Sequence, residues 1–392
     1  MTDQDRISLD NATPCPFEAR AWIDDKLVAV SSAALRVDRP GATPVLCFPV
    51  AHVNGKLPVP GDAVVLPVAP DGYVVFDTNH ERVQVMLLDG IAGEPERDHT
   101  LVKFPTWGDA ADLIEMLNVR PQSDGSYASA TRDNSANPHR DVVEGSQLLA
   151  QAIVAAGRRA PERRVVSASM VFMRAANTAT PLRIQLDELQ NGRNFATLAP
   201  QIRQAGKLCA SGIMLLDVTA PDVIRHTAAF PDTHGPYASE YYDMSMTGRD
   251  LRFVDGAYTN DADAPIGPPE LDAWVRFRQV PDDRHLHAAL LAHFTGAVSI
   301  AAAMRPHAGI GQSQAHRTLS TAINAISISF HADVRADRWM LYRHRSTFAG
   351  DGMTHSECRV YDCDRALLAS FTVDAMVRRM PASRAVDERT AL

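Results

Sequence analysis

The sequence Glu144-Gly145-Ser146-Gln147 begins a long Ala/Leu-rich segment and holds the groups best suited to chemistry in this chain. A carboxylate at the start of a helix can act as a general base, because partial burial raises the pKa of a carboxyl group. The first N–H groups of a helix can polarise a carbonyl oxygen. We therefore predict Glu144 as an acid–base residue, and Gly145, Ser146 and Gln147 as the part of the site that binds the carbonyl group. The structural alternative for Glu144 is that of a first-turn acid favoured by the helix dipole.

Asn324 is the second candidate catalytic residue, because it is a polar amide within a run of Ala and Ile. One hydrogen bond to the backbone would satisfy the same side chain, so a structural role stays open. The histidines do not predict a metal site, since His287 and His293 are six residues apart and do not share a helical face. The chain lacks GxxxxGK[ST], GxGxxG and GxSxG motifs, which disfavours nucleotide hydrolysis, dinucleotide chemistry and α/β-hydrolase chemistry.

Two matched segments must position these groups. Residues 142–175 and 286–334 each contain a long Ala/Leu-rich helix followed by a β-branched strand. Both helices have apolar faces, as expected for helices buried beneath a sheet. Two copies of a helix wrapped by antiparallel strands are typical of a double hotdog. We predict this α+β fold, with helices Glu144–Gly157 and His285–Arg305 buried side by side under one continuous antiparallel sheet.

A small all-β domain is predicted before the double hotdog. From Phe17 to about Trp107, short apolar strands alternate with Pro-Gly, Asn-Gly and Asp-Gly turns. We therefore expect three domains: the all-β domain at 1–107, the first hotdog and a linker at 108–245, and the second hotdog at 246–385.

The composition limits the class of protein. The chain has 392 residues, of which 45% are hydrophobic, and a net charge of −8. An acidic surface argues against general binding of nucleic acid or of anionic membranes. No unbroken apolar run reaches the ~18–20 residues of a membrane span, and the polar N-terminus does not have the pattern of a signal peptide. These observations predict a cytoplasmic protein.

Roughly residues 110–380 resemble the acyl-CoA thioesterase II family, which has a double-hotdog fold. The first half is similar to that family in DLIEMLNVRPQSDGSY and LQNGRNFATLAPQIRQAGK, and the second half in VPDDRHLHAALLA, FHADVRADRWMLYRHRS and LLASFTVDAMVR. The resemblance implies hydrolysis of acyl-CoA thioesters, with coenzyme A as part of the substrate and no separate cofactor. Residues 19–107 resemble a small domain of unknown function, the β-tent, which implies no chemistry.

The family activates water with an Asp, a Thr or Ser, and a Gln in the second hotdog, and this chain departs from all three. The resemblance aligns these positions with Gly296, Ile323 and Val373, none of which can hold or deprotonate water. In the first half, the family usually has an apolar or aromatic residue followed by Gly-Gly-Gln, where this chain has EGSQ. Glu144 then lies across the pseudo-twofold axis from the missing Asp, which makes it the candidate for a relocated base.

Three functions remain open from the sequence. The first is hydrolysis of an acyl or aryl thioester of coenzyme A by an altered acid–base group. The second uses the same polarised thioester for hydration, dehydration or another carbonyl-activated step. The third is a non-catalytic protein that binds CoA thioesters or acts as a scaffold. The expected partners are an acyl-CoA or related thioester and further copies of the chain, joined through the hotdog sheets. Nucleic acid, a membrane and metal ions are not expected.

Overall fold

The computed structural model describes residues 110–130, 142–241, 249–258, 262–277 and 280–380, together with parts of residues 7–88. It divides the chain into two compact units. The first unit comprises Met1–Asp109 and Glu240–Gly248, and the second comprises Ala110–Ser239 and Arg249–Leu392. The domain boundaries predicted near residues 107, 245 and 385 lie outside the described residues.

The first unit is built from short strands, as its frequent turns predict. The strands are β1 Ala12–Pro14, β2 Glu18–Ile23, β3 Lys26–Ser31, β4 Leu35–Arg39, β5 Ala42–Pro49, β6 Tyr73–Val75 and β7 Val83–Leu88. They form a four-stranded sheet of order β1-β4-β5-β6 and a three-stranded sheet of order β3-β2-β7. Alternating side chains of the first sheet, among them Val37, Val45 and Val75, bury a small core. The prediction of a small all-β domain is confirmed.

The first half of the second unit contains one buried helix and the strands that wrap it. Its elements are α1 Ala110–Leu117, β8 Val119–Pro121, β9 Tyr127–Ser129, α2 Gly145–Arg159, β10 Arg164–Phe172, β11 Leu182–Asn191, β12 Phe195–Gln204 and β13 Lys207–Asp217. Helix α2 is rich in Ala and Leu, which have high helix propensity, and it is buried from Leu148 to Gly157. It ends in Arg158 and Arg159, whose positive charges interact favourably with the negative C-terminal end of the helix dipole.

The second half repeats this order, but its helix is interrupted. Its elements are β15 Arg249–Phe253, β16 Glu270–Phe277, α3 Arg284–His293, α4 Ser299–Met304, β17 Leu319–Phe330, β18 Met340–Gly350, β19 Met353–Asp362 and β20 Leu367–Arg379; strand β14, Glu240–Tyr241, belongs to the first unit. The prediction of a single helix His285–Arg305 was wrong, because a 3₁₀ turn at Phe294–Gly296 separates α3 from α4. Thr295 donates its hydroxyl to the carbonyl of Ala292, and Val298 has a non-helical ψ of 1°.

The described strands that wrap these helices form one antiparallel sheet. Their spatial order is β15-β16-β18-β19-β20-β17-β10-β13-β12-β11-β9-β8. The two halves meet where β10 pairs with β17, from Ser167 opposite Ser329 to Val171 opposite Ala325. The prediction of two hotdogs joined by a continuous antiparallel sheet is confirmed.

Helices α2 and α3 pack side by side, as the sequence predicts. Leu148 and Ile153 of α2 and Leu290 of α3 are almost fully buried. The helices approach closely at Gly157, where an added Cβ atom would lie 2.2 Å from Cγ of His285. The absence of a side chain at residue 157 therefore allows this short distance between the two helices.

One stretch of the described residues, Arg284–Met304, is long and apolar enough to cross a membrane by length and composition alone. The stretch is not an unbroken apolar run, because His287, His293 and Thr295 interrupt it. In the structure, 78% of its most apolar window is buried inside the protein, which is the burial expected of a core helix.

Candidate functional site

Gly296 lies in the 3₁₀ turn between α3 and α4, and this turn contacts β17 and β20. A Cβ atom added to Gly296 would lie 2.9 Å from Cδ1 of Ile323 and 3.1 Å from Oγ of Ser146. Both distances are shorter than ordinary van der Waals contacts. Gly296 and Ile323, two of the three positions that correspond to the family's catalytic residues, therefore lie close together. Ser146, in the first turn of α2, lies next to Gly296.

Val373, the third of these positions, lies on the same side of the sheet. Ile323 pairs with Ala375 across the β17–β20 ladder, and Val373 is two residues away on β20, so its side chain is on the same face. Only 1% of Val373 is exposed. Gly296, Ile323 and Val373 thus lie on the inner side of the sheet, and none of them carries a group that can deprotonate water.

Ser146 brings a hydroxyl group to these apolar positions. It is the second residue of α2 and is only 2% exposed. Its Cβ lies 3.3 Å from the Cβ position of residue 296, so its side chain is directed at Gly296 rather than along the helix surface. The sequence predicts Ser146 at the helix start, but it cannot predict this contact, because the contact depends on how α2 packs against a turn far away in the chain.

Glu144 is the N-cap residue of α2. Its φ of −66° and ψ of 146° are extended, and its carbonyl accepts a hydrogen bond from the N–H of Leu148. The side chain makes no capping hydrogen bond and is half-buried. Glu144 therefore immediately precedes the first turn of α2, whose N–H groups have no acceptor within the helix.

Gly145 allows an aromatic ring to cover the start of α2. A Cβ atom at this position would lie 2.8 Å from Cδ2 of Phe172, the last residue of β10. Phe172 thus provides an apolar wall beside the first-turn N–H groups, and apolar surroundings strengthen hydrogen bonds to a carbonyl oxygen. Gln147 follows Ser146 in the same turn and is half-buried.

Asn324 lies at a β-bulge in β17, between Ile323 and Ala325. Its side-chain Oδ1 is buried and has no hydrogen-bond partner among the described residues. Oδ1 therefore does not make the backbone hydrogen bond that a purely structural role would require. Since the O and N atoms of an amide are interchangeable by a flip, the group can offer either a donor or an acceptor here.

A second buried polar group lies in the core of the second half. Oγ of Ser299, at the start of α4, is 3.2 Å from Nδ1 of His344 on β18, and the hydroxyl of Ser356 donates to the carbonyl of Ser299. Burial lowers the pKa of His344 to about 3, so the ring is neutral near pH 7. The Ser299–His344 pair was not predicted from the sequence. The alternation YRHRS in β18, in which Tyr342 is also buried, is the signal that places His344 on the inner face.

His285 and His287 of α3 form hydrogen bonds with the backbone of neighbouring segments. Nε2 of His285 lies 2.7 Å from the carbonyl oxygen of Arg163, and Nδ1 of His287 accepts from the N–H of Ala336. Burial is the main cause that lowers the pKa of His287. Among the residues that the structure describes, no three His, Cys, Asp or Glu side chains are grouped so that they could bind a metal ion.

The fold and the contact at Gly296 define the class of protein. It is a double hotdog in which α2 begins beside the turn that interrupts the helix of the second half. Family models of the acyl-CoA thioesterase N-terminal and C-terminal domains match residues 133–216 and 221–377, together more than half of the chain. The chain belongs to the acyl-CoA thioesterase family.

Individual relatives have low sequence identity to this chain, but each alignment covers most of the relative's length. Acyl-coenzyme A thioesterase 8 of Mus musculus is 24% identical over 299 residues, which cover 69% of this chain and 89% of the relative. Acyl-CoA thioesterase 2 of Haemophilus influenzae is 23% identical over 287 residues, which cover 68% of this chain and 97% of the relative.

Solved structures show the same fold. A tesB protein of Mycobacterium avium subsp. paratuberculosis matches with a TM-score of 0.58 and 19% identity, over 69% of this chain and 100% of that chain. Acyl-CoA thioesterase II TesB2 from Mycobacterium marinum matches with a TM-score of 0.57 and 21% identity, over 69% of this chain and 98% of that chain.

Proposed function

We propose that this protein hydrolyses an acyl or aryl thioester of coenzyme A, with an acid–base group different from the family's usual Asp, Thr or Ser, and Gln. The observation that carries the proposal is the close approach of the Ser146 side chain to Gly296, beside Ile323. This contact supports a reaction centre at the first turn of α2, where helix N–H groups lack an intrahelical acceptor. These groups can polarise a thioester carbonyl even though the three family positions are apolar.

Hydrolysis needs a base, and Glu144 is the candidate. The Glu144 carboxylate takes a proton from a water molecule while the water oxygen attacks the carbonyl carbon of the thioester. The developing oxyanion accepts hydrogen bonds from the N–H groups of Gly145 and Ser146. The tetrahedral intermediate then collapses: the C–S bond breaks, sulfur leaves with the electron pair, and the proton held by Glu144 passes to the thiolate. The products are the carboxylic acid and coenzyme A.

Asn324 and Gln147 complete the proposed polar groups. The buried Oδ1 of Asn324, without a partner among the described residues, supports a role in hydrogen bonding to water or substrate. Gln147 lies in the first turn of α2, where it can contact the substrate beyond the reacting carbonyl.

The proposal extends to the cofactor, the compartment and the assembly of the protein. Coenzyme A enters as part of the substrate, no separate cofactor is required by the hydrolytic step, and the protein acts in the cytoplasm. Copies of the chain associate through the outer face of the sheet. This last point is supported by Val171 and Ile213, which are 52% and 50% exposed on the adjacent strands β10 and β13.

A non-catalytic protein that binds CoA thioesters is the alternative that the site also supports. It is favoured by the apolar character of Gly296, Ile323 and Val373, since all three acid–base and water-binding positions of the family are lost together. Hydration or dehydration of the acyl group uses the same polarised carbonyl and differs only in which bond is made or broken.

A panel of acyl-CoA and aryl-CoA thioesters separates these functions. The purified full chain is incubated with each compound, while free thiol is measured with a chromogenic thiol reagent and product mass is measured by mass spectrometry. Hydrolysis releases one thiol for each acid formed. Hydration or dehydration changes the acyl mass without releasing thiol, and a binding protein retains the intact thioester. The proposal is wrong if no thioester releases thiol faster than in buffer.

A further inference from the structure

We propose that the hydroxyl group of Ser146 takes the place of the carboxylate that is missing at Gly296. In the family pattern that the sequence resembles, the position of Ser146 is Gly and the position of Gly296 is Asp. This chain has the reverse arrangement, with the polar residue on α2 and the glycine in the turn between α3 and α4. The proposal rests on the proposed hydrolysis and adds a residue that positions the attacking water.

The close spacing at the site supports such an exchange. A Cβ atom at residue 296 would lie 3.1 Å from Oγ and 3.3 Å from Cβ of Ser146, closer than about nine in ten Cβ contacts in proteins. Cδ1 of Ile323, at 2.9 Å, closes another side of the same volume. A carboxylate built beyond that Cβ atom and the Ser146 hydroxyl therefore compete for one place. With Ser146 and Ile323 in these positions, a residue larger than glycine at 296 would have to displace one of them.

The chemistry of Ser146 matches part of the role of the missing carboxylate. A hydroxyl group donates one hydrogen bond and accepts others, so it can hold a water molecule in a fixed direction. It does not ionise near neutral pH and cannot take the proton of that water. The two roles of the family's Asp are thus divided: Ser146 orients the water, and Glu144, two residues earlier in the chain, accepts the proton.

The kinetic test uses Ser146→Ala, which removes Oγ and leaves Cβ. We expect kcat to fall roughly ten- to a hundred-fold, the range for one hydrogen bond to a group that becomes charged in the transition state, while KM changes less than about twofold. The acid limb of the pH profile should not move, because the base is unchanged. The melting temperature should not move either, because the variant keeps Cβ and its packing. A merely structural role would instead lower the melting temperature and leave the kcat of the folded protein unchanged.

Ser129→Ala is the matched control. Ser129 is a buried serine of the same hotdog, and its Oγ accepts a hydrogen bond from the N–H of Leu182. We expect this variant to be less stable but to keep the kcat of the wild-type protein. Retention of wild-type kcat by Ser146→Ala would overturn the proposal for Ser146. Absence of thiol release by the wild-type protein would instead overturn the proposed hydrolysis.

The steric part of the proposal is tested without activity. Gly296→Asp alone should lower the melting temperature by several degrees, and adding Ser146→Gly should recover the part of that loss that comes from Ser146. The contact with Ile323 is the same in both backgrounds, so it cancels in the double-mutant cycle. If the effects of Ser146→Gly and Gly296→Asp were additive, the two residues would not share one space and the exchange would be rejected.

Discussion

Ser299 and His344 form a hydrogen-bonded pair in the core of the second hotdog, with 3.2 Å between Oγ and Nδ1. The other ring nitrogen of His344, Nε2, is buried without a partner among the described residues. Aromatic rings flank the imidazole, with ring centroids 6.4 Å away for Tyr342 and 5.6 Å away for Phe371. Such surroundings cannot solvate a charge, so the folded protein keeps His344 neutral.

Acidification is predicted to destabilise the protein through His344. In the unfolded chain a histidine binds a proton below a pKa of about 6.5, whereas the folded His344 has its pKa lowered to about 3. The unfolded state therefore binds more protons between these values, and stability falls as the pH falls. The contribution is complete above about pH 6.5 and is lost progressively towards pH 3, by on the order of a few kcal/mol. Urea unfolding of the wild-type protein at several pH values from 8 to 4 measures this dependence.

The variant His344→Gln should unfold with a weaker pH dependence than the wild-type protein. His226→Gln is the control, because His226 is exposed and its replacement should leave the wild-type dependence unchanged. Equal pH dependence of His344→Gln and the wild-type protein would show that another group causes the acid sensitivity.

Replacement of Gly157 is predicted to separate α2 from α3. In Gly157→Ala the new Cβ atom would lie 2.2 Å from Cγ of His285, whose ring is held by the carbonyl of Arg163 and cannot move freely. We expect the free energy of unfolding to fall by about 1–3 kcal/mol, as for other overpacked cores. Urea unfolding measures the loss.

Two variants control for this effect. Gly235→Ala should be tolerated, because no atom lies within 4 Å of its Cβ position and its φ is −69°. Adding His285→Ala to Gly157→Ala should reduce the penalty, since it removes the ring that the new methyl group meets. A Gly157→Ala protein as stable as Gly235→Ala would contradict the close helix contact.

The fold of the second unit could be predicted because each element has its own local pattern. Helix α2 follows from an Ala/Leu-rich run, and β20 and the ISISF end of β17 follow from alternating apolar residues. The first half of β17, residues 319–325, was not predicted as a strand. The repeated order of helix and strands then indicated two hotdogs. The interruption at Phe294–Gly296 was not predicted, because an apolar segment with one glycine is still compatible with a continuous helix.

The candidate site could be predicted only in part. The resemblance identified Gly296 and Ile323 as apolar replacements, and the helix start identified Glu144 and Ser146 as polar groups. The contact between Ser146 and Gly296 is tertiary, so neither the spacing nor the local pattern contains it. Likewise, the sequence predicts that Asn324 is enclosed by apolar residues, but not that its Oδ1 lacks a partner among the described residues.

Removal of the Asn324 side chain is predicted to cost little stability. A buried acceptor without a partner is unfavourable, so Asn324→Ala should keep the free energy of unfolding within about 1 kcal/mol of the wild-type value or raise it. Turnover should fall, but less than after loss of the base. Urea unfolding and thiol release measure both effects. A loss of several kcal/mol would mean that the amide makes a structural hydrogen bond.

The last prediction concerns Glu144 as the base. Glu144→Gln keeps the size and the hydrogen-bonding capacity of the side chain but removes its basicity. Turnover should therefore fall ~10²-fold or more, and the acid limb of the pH profile should disappear. KM should change little, because contacts to the nucleotide part of coenzyme A lie away from the reacting carbonyl. Thiol release from the best thioester of the panel, measured from pH 5 to 9, tests all three points.

Glu162→Gln is the control for this variant, because Glu162 is an exposed carboxylate just beyond the other end of α2. It should retain wild-type turnover at every pH. If Glu144→Gln also retained it, the carboxylate at the helix start would be a structural residue and the relocated base would be rejected. Loss of turnover with the acid limb still present would mean that Glu144 aligns the start of α2 while another group accepts the proton.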